Sequence, residues 1–589
     1  MDRTPEKLKV AFQHHQAGNL QQAQRLYQEI LAEQPTCAPA WHFLGLIHHQ
    51  ALQYDEAISH IRRCLNLMPD YVEAHRNLGV VLHDADKFSE AIRAFQRVLE
   101  LQPDNAEVND LLGLSCYSLG DVNAAMLCYQ RAVALDSRNA AAHNRLGVLH
   151  SDLDNLDDAV ICYRRALELR PDFVEAYTNL GLALTDLGED AEAVAAHRKA
   201  IELQPRRGEL YSNLGGAFEK QGNLAEAIVC YDQAIELRPD LAEAHVNCGN
   251  VWSEQGKLQE AAACYHRALA LRADYADAYT GLAALQLLQG DFDRGWVGYE
   301  WRWRCKRLGG RQFRQPLWDG GALNGKTILI HAEQGLGDTF QFLCYLPLVK
   351  AQGGTVIVEV QKPLLRLLAN VPGIDRLIGK GDEWPAFDVH APLLSLPRIF
   401  QTTLETIPGR VPYLFAQEGL VRLWRERLQE ITGFRVGVNW HGRSGRGAHR
   451  QRDVPLDCLA SLAQVPGVRL VSLQKGALQR ELAEHCEAAA IVDLGYEIDE
   501  AHGAFMDTAA IMMNLDLVIS SDTSVPHLAG ALGVPVWLAL PSTPNWRWLQ
   551  NRDDCPWYPT MRLFRQQTAG DWTAVFSAVR DELANVAGR

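Results

Sequence analysis

Two short stretches of this chain place acidic, hydroxyl and small residues where an apolar run gives way to a helical pattern. The first is Ala332-Glu333-Gln334-Gly335-Leu336-Gly337-Asp338, directly after the run Thr327 to His331. Gly335 and Gly337 let the backbone come close to a ligand, and the start of a helix beginning near Thr339 favours negative charge. Asp338 stands at that mouth, where a carboxylate could take the proton of an attacking hydroxyl, the task of a general base in sugar transfer. Aspartate is also strongly preferred as the N-cap of a following helix, and one side chain can serve both purposes. The second stretch is Ser520-Ser521-Asp522-Thr523-Ser524-Val525-Pro526-His527, at the end of the run beginning at Leu517. Amides and hydroxyls of Thr523 and Ser524 suit a phosphate at a helix start, His527 one turn in could donate to it, and Asp522 reads in part as an N-cap.

A leaving diphosphate needs cations beside it. The glycine-rich segment His441 to Asp453 carries Arg443, Arg446, Arg450 and Arg452, with Arg443 taken as the donor-binding candidate and Arg452 with Asp453 as a local pair. Lys475, in Gln474-Lys475-Gly476 at the end of an apolar run, is a second candidate. The strand-end loops hold no Asp-x-Asp and no cluster of histidines with carboxylates, so no metal is expected. The basic run Trp301 to Arg314 could meet an anion, but is read as packing against the domain after the repeats. The aromatic segment Pro541 to Pro559 is read the same way, with the lining of a pocket as the other possibility.

These residues need elements to position them. Beyond Lys326 short apolar runs alternate with helical patterns: Thr327 to His331, Thr355 to Val360, then Arg435 to Asn439, Val468 to Leu473, Ala490 to Asp493, Leu517 to Ser520 and Val534 to Leu540. That alternation is the signature of doubly wound parallel sheets, and two series in tandem imply two Rossmann-like halves facing a cleft. Ligands of such sheets bind beyond the carboxyl ends of the strands, where both loops fall. A closing helix is expected over Asp571 to Val586.

The first half of the chain has another period. Gly45, Gly79, Gly113, Gly147, Gly181, Gly215 and Gly249 recur every 34 residues, each followed twelve positions later by alanine, from Ala57 to Ala261. Bulky residues such as Phe95, Tyr129, Tyr163, Tyr231 and Tyr265 follow four positions further on, and prolines such as Pro69, Pro103 and Pro171 end the unit. Small residues belong where helix backbones approach and proline where a helix stops, so each unit reads as two antiparallel helices. The pattern resembles a tetratricopeptide repeat array of about nine units, whose groove suits an extended polypeptide. Asn77, Asn179, Asn213 and Asn247 lie two positions before the repeat glycine, on the inner helix. A row of carboxamides can pair with a peptide backbone without reading its side chains. The O-linked N-acetylglucosamine transferases carry a similar asparagine ladder, although asparagine is also simply common at this position.

The Gly-Leu-Gly-Asp loop and the Asp-Thr-Ser-x-x-His-Leu-Ala-x-Ala-Leu-Gly-x-Pro stretch together resemble the heptosyltransferase family of GT-B glycosyltransferases over about residues 325 to 585. The resemblance implies Asp338 as catalytic base, and a nucleotide-sugar diphosphate held by Asp522, Thr523, Ser524 and His527 without a metal. Ser524 stands where that family usually has glycine, and its lysine after the first strand of the second half is missing here. A lysine in the donor half of the O-linked N-acetylglucosamine transferases makes Lys475 the candidate in its place. Repeats followed by such halves are similar to bacterial tetratricopeptide glycosyltransferases, including those that modify flagellin.

The expected organisation is an α-solenoid over 1–305, a basic aromatic junction over 306–325, and GT-B halves over 326–430 (acceptor side) and 431–589 (donor side). A formal charge of −15 excludes a basic field for nucleic acid. Thirteen cysteines without a CxxC pair suit a reducing compartment. A polar N-terminus and strand-sized apolar runs give no signal peptide or membrane span, so a cytoplasmic protein is expected. The expected activity is sugar transfer from a nucleotide-sugar co-substrate, with no other cofactor, to a Ser or Thr hydroxyl of a protein held by the repeats. The alternatives are a glycan or lipid-linked saccharide acceptor, and an adaptor that no longer turns over.

Overall fold

The computed structural model describes residues 4–305, 311, 313–442, 451–476, 482, 490–495 and 497–588. By internal contacts the chain forms two compact units, Met1–Ala217 and Phe218–Arg589. Eighteen α-helices run from Thr4–Gln16 to Phe292–Tyr299, mostly alternating 13 and 14 residues in length. The repeat glycine is explained by its neighbour in the second helix of the pair. A Cβ at Gly79 would lie 2.5 Å from the Phe95 ring, one at Gly113 2.7 Å from Tyr129 and one at Gly147 2.6 Å from Tyr163. Each aromatic ring therefore occupies the volume a side chain would take. The alanines twelve positions on, such as Ala91 and Ala125, are wholly buried.

The second unit contains the last repeats and two parallel sheets. The first sheet is built from β1 (Thr327–His331), β2 (Thr355–Val360), β3 (Arg376–Gly379) and β4 (Val389–Pro392), in the order β3-β2-β1-β4. The second holds β5 (Phe434–Asn439), β6 (Val468–Ser472), β7 (Ile491–Val492), β8 (Leu517–Ser520), β9 (Val536–Leu540) and β10 (Met561–Arg565). Its order, β10-β9-β8-β5-β6-β7, is the doubly wound one, with the reversal between β5 and β8. Strands buried on both faces read as apolar runs, which is why β1, β2 and β8 fall where the sequence places them. β3, β4 and β10 were not expected, being short or bounded by arginine, histidine and proline. The closing helix is Trp572–Ala587. Among the described residues no helix is long and apolar enough to cross a membrane.

The contact boundary at Ala217 lies well before the one the sequence suggested at 305. Its reason is visible at the end of the repeats. Trp296 donates its indole N–H to the Thr402 carbonyl at 3.0 Å and meets Trp546 edge-on, as does Tyr299. Arg302, 1% exposed, forks onto Glu333 through Nε at 2.9 Å and Nη2 at 2.8 Å, and also donates to Glu300 and Ser395. Arg311 pairs with the buried Glu359. Arg302 and Arg311 thus pack against the first sheet, while Arg304 and Arg314 of the same run are exposed. Lys306 and Arg307 lie outside the described residues. Truncating one partner of a buried pair strands the other charge, so Arg302→Ala is expected to cost about 3–5 kcal/mol. A fall in the urea midpoint of the full chain checks this, and Arg302→Lys should recover only part of it because lysine lacks the fork.

Candidate functional site

The loop after β1 and the loop after β8 each leave the carboxyl end of a strand at the point where its sheet reverses, and the structure brings them together. A Cβ at Gly337 would lie 2.9 Å from His527 Cδ2 and 3.4 Å from Ser524 Cα. A side chain at 337 would press on the buried His527 ring where the two helix starts approach. The first helix is Leu336–Phe342, three residues earlier than expected, so its N-cap is Gly335 and Asp338 is its third residue. Asp338 Oδ2 accepts the Gly335 N–H at 2.9 Å. Its Oδ1 accepts from Arg547 Nη2. Arg547 stacks 4.3 Å from the Trp546 ring centroid and donates from Nη1 to Asn545 Oδ1 at 2.7 Å. Burial, the largest influence, opposes its charge, and Asp338, Tyr299 and Asp522 together offset it and hold the guanidinium above its ordinary range.

On the other side the N-cap is Thr523, not Asp522: its Oγ1 accepts the Val525 N–H at 3.2 Å and donates to Asn439 Oδ1 at 3.0 Å. Asn439, at the end of β5, is itself held by Gln474, whose Oε1 accepts from Asn439 Nδ2 at 2.8 Å and from the His441 N–H at 3.1 Å. Ser524 opens the helix Ser524–Ala531. Asp522 is buried, its Oδ2 lies 3.7 Å from Arg452 Nη1, and the Trp548 indole N–H is a neighbouring donor to its carboxylate. Burial pushes its carboxyl above the usual range, eased by the Arg452 guanidinium. His527 stacks on Trp548 with centroids 5.0 Å apart, and its Nδ1 is 3.0 Å from the Tyr558 hydroxyl. Burial, then the Arg547 charge, lowers it to about 3, so the ring is neutral at ordinary pH.

The remaining candidates lie elsewhere. Lys475 donates to the Ile498 carbonyl at 2.7 Å and reaches Asp499 Oδ2 at 3.2 Å, a network it shares with Asp507 and Thr508 rather than with the two loops. Arg443 lies outside the described residues, as do Arg446 and Arg450. Arg452 faces Asp522, while Asp453 pairs with His441 at 3.1 Å. Asn77, Asn179 and Asn213 are half-buried in the first unit. Asn77 Nδ2 lies 2.9 Å from His42 Nε2, and Asn179 Nδ2 donates to Asn144 Oδ1 at 3.1 Å, both to the preceding inner helix. Carboxamides at this position therefore also tie neighbouring repeats. Arg547 was missed because nothing in Trp546-Arg547-Trp548 marks the arginine apart from its aromatic neighbours.

Within the second unit a cavity of about 700 Å³ opens between the inner helices of the last repeats and the loops that follow β5 and β9. Asn247, Asn250, Ser253 and Glu254 line the repeat side, and Arg452, Thr543 and Asn545 the sheet side. Glu254 Oε1 accepts from Gln451 Nε2 at 3.3 Å. Burial, with Glu219 nearby, raises the Glu254 carboxyl to about 7. The folded state therefore favours the protonated form: that contribution is complete below the ordinary carboxyl range and is lost as pH rises through about 7. Glu254→Gln removes the titration. Its melting temperature should gain on the native chain between about pH 5 and about pH 8, and parallel melting curves across that range would contradict the assignment.

Comparison with known proteins identifies the repeats. Residues 36–104 match a tetratricopeptide repeat model, residues 113–154, 181–222, 217–256 and 253–290 a TPR repeat model, and residues 140–173 and 162–195 two further tetratricopeptide repeat models. Protein FlbA of Caulobacter vibrioides is 28% identical over 331 residues, 52% of this chain and 54% of that protein. The chain thus spans about half the length of that curated relative. Among solved structures, MamA is 28% identical with a TM-score of 0.27, covering 28% of this chain and 97% of its own. YrrB, described as a TPR protein with an unusual peptide-binding site, is 22% identical with a TM-score of 0.28, covering 32% of this chain and 96% of its own. The N-terminal part of the chain is accordingly a tetratricopeptide repeat solenoid suited to protein interaction, joined to a region of parallel sheets.

Proposed function

We propose that this chain is a metal-independent glycosyltransferase of GT-B type that moves a sugar from a nucleotide-sugar donor to a Ser or Thr hydroxyl of a polypeptide. The observation that carries this reading is the meeting of the Gly337-Asp338 helix start with the Asp522-to-His527 loop at the reversal points of two parallel sheets, next to a cavity walled by repeats. The acceptor oxygen attacks the anomeric carbon as the bond to the diphosphate breaks, and its proton passes to the Asp338 carboxylate. Each Asp338 oxygen accepts one hydrogen bond and keeps a second lone pair for that proton. The charge growing on the diphosphate is met by the Ser524 helix start and by Arg547 and Arg452, which already face Asp338 and Asp522. His527, neutral and stacked, holds the first loop through its contact with Gly337 and has one ring nitrogen left to donate. Bacterial proteins such as flagellin are acceptors of the kind this reading anticipates.

Thermal melting against a panel of nucleoside diphosphates and nucleotide sugars tests the donor site, since a ligand of the folded state raises the melting temperature. One nucleotide class should stabilise the chain. Asp338→Asn should then lower transfer to polypeptide by about 10²–10⁴-fold while the donor-induced shift stays within a degree or so of the native value. Equal loss of both would remove Asp338 as base, and transfer to saccharides but not to polypeptide would replace the acceptor.

A further inference from the structure

The buried polar groups between the end of β5 and the helix Ser524–Ala531 form one directed chain of hydrogen bonds. It starts at Gln474, 5% exposed, whose Oε1 accepts the His441 N–H at 3.1 Å and the Trp440 N–H at 3.3 Å. Only the carbonyl end of a carboxamide can meet two backbone N–H groups, so the orientation of Gln474 is fixed. The Asn439 group that faces the same Oε1 at 2.8 Å must then be its Nδ2, which turns Oδ1 toward the loop after β8. There Oδ1 accepts the Thr523 hydroxyl at 3.0 Å. The Ser520 hydroxyl, 3.3 Å from the same oxygen, has a nearer acceptor in the Ser521 carbonyl at 2.8 Å. The Thr523 methyl is confined as well, since a Cβ at Gly442 would lie 3.4 Å from Thr523 Cγ2. The one Thr523 proton is therefore spent on Asn439, and one lone pair of its oxygen on the Val525 N–H at 3.2 Å.

We propose that Asn439 is a positioning residue of the donor site: by taking the Thr523 proton it commits Thr523 to the helix cap and leaves the diphosphate to the Ser524 N–H and hydroxyl. The proposal rests on the glycosyltransferase reading and adds to it a division of labour between two adjacent hydroxyls. A hydroxyl has one proton to give, and a phosphate oxygen needs a donor. Thr523 cannot serve both Asn439 and an anion. Ser524, half-exposed and first in its helix, has an N–H with no partner inside the helix and a hydroxyl beside it. With Thr523 pinned, the helix start meets the diphosphate in a prepared shape, so less ordering has to be supplied on binding. Asn439, 4% exposed, acts only through Thr523.

The test titrates the full chain by calorimetry with ADP, GDP, CDP, UDP and dTDP, and carries the tightest binder into the variants. Asn439→Ala and Thr523→Val should each weaken it about tenfold, the scale of one lost hydrogen bond. Because both changes break the same bond, the double variant should bind no more weakly than Thr523→Val alone, whereas independent losses of packing would multiply to about a hundredfold. Thr523→Ser, which keeps the hydroxyl, should bind within about twofold of the native chain, and Ser524→Ala should lose about fivefold. Multiplied losses in the double variant, native affinity in Thr523→Val or native affinity in Ser524→Ala would overturn the inference. If Asn439→Ala does not fold, the contrast between Thr523→Val and Thr523→Ser decides in its place. A native chain that binds none of the diphosphates would instead remove the glycosyltransferase reading, and this inference with it.

Discussion

The second unit is organised around an ion pair that closes the gap between its two sheets. Asp338 and Arg547 come from loops more than two hundred residues apart, and both are largely withdrawn from water. Removing charges from water is costly, and a pair of this kind persists only where each partner is also hydrogen-bonded. Here the Gly335 amide satisfies the carboxylate and Asn545 the guanidinium. The absent side chain of Gly337 lets the two helix starts approach closely enough for the pair to form. Change that spacing and the pair, the stacked His527 and the positions of Thr523 and Ser524 all lose their reference.

The same pair gives the cleft its charge pattern. Arg547 faces Asp338, Arg452 faces Asp522, and the two pairs lie at one end of the second sheet. In the proposed reaction an incoming diphosphate competes for guanidinium groups already engaged. Each carboxylate then gains freedom to accept from a hydroxyl as its arginine turns to phosphate. In the proposed reaction this couples arrival of the donor to readiness of the base, with no moving domain required.

The repeats serve the site in a different way. In the second unit they end as a wall, with Trp296, Tyr299 and Arg302 fixed to the sheets and the inner helices turned to the cavity. Fixing this wall by aromatic contacts and a buried fork keeps Asn247, Asn250 and Glu254 at constant register to Arg452 and Asn545. A repeat joined by a flexible linker could recruit a polypeptide, but it could not place one hydroxyl against one carboxylate to the accuracy that chemistry needs.

Local periodicity determined much of this by itself. A 34-residue spacing of glycine and aromatic residues specifies paired helices, because each ring must find a gap one turn-and-return away, and the continuous apolar runs specify buried parallel strands. The two polar loops were legible for the same reason: a strand, a cluster of small and acidic residues and a helix follow one another directly in the chain. Tertiary structure alone decided which charges meet. Arg547 was hidden among tryptophans, Arg452 seemed tied to its neighbour Asp453, and Glu254 looked like any repeat glutamate; each acquires its role from a partner remote in sequence. Burial of charge depends on what the whole fold places around it, and no spacing rule records that.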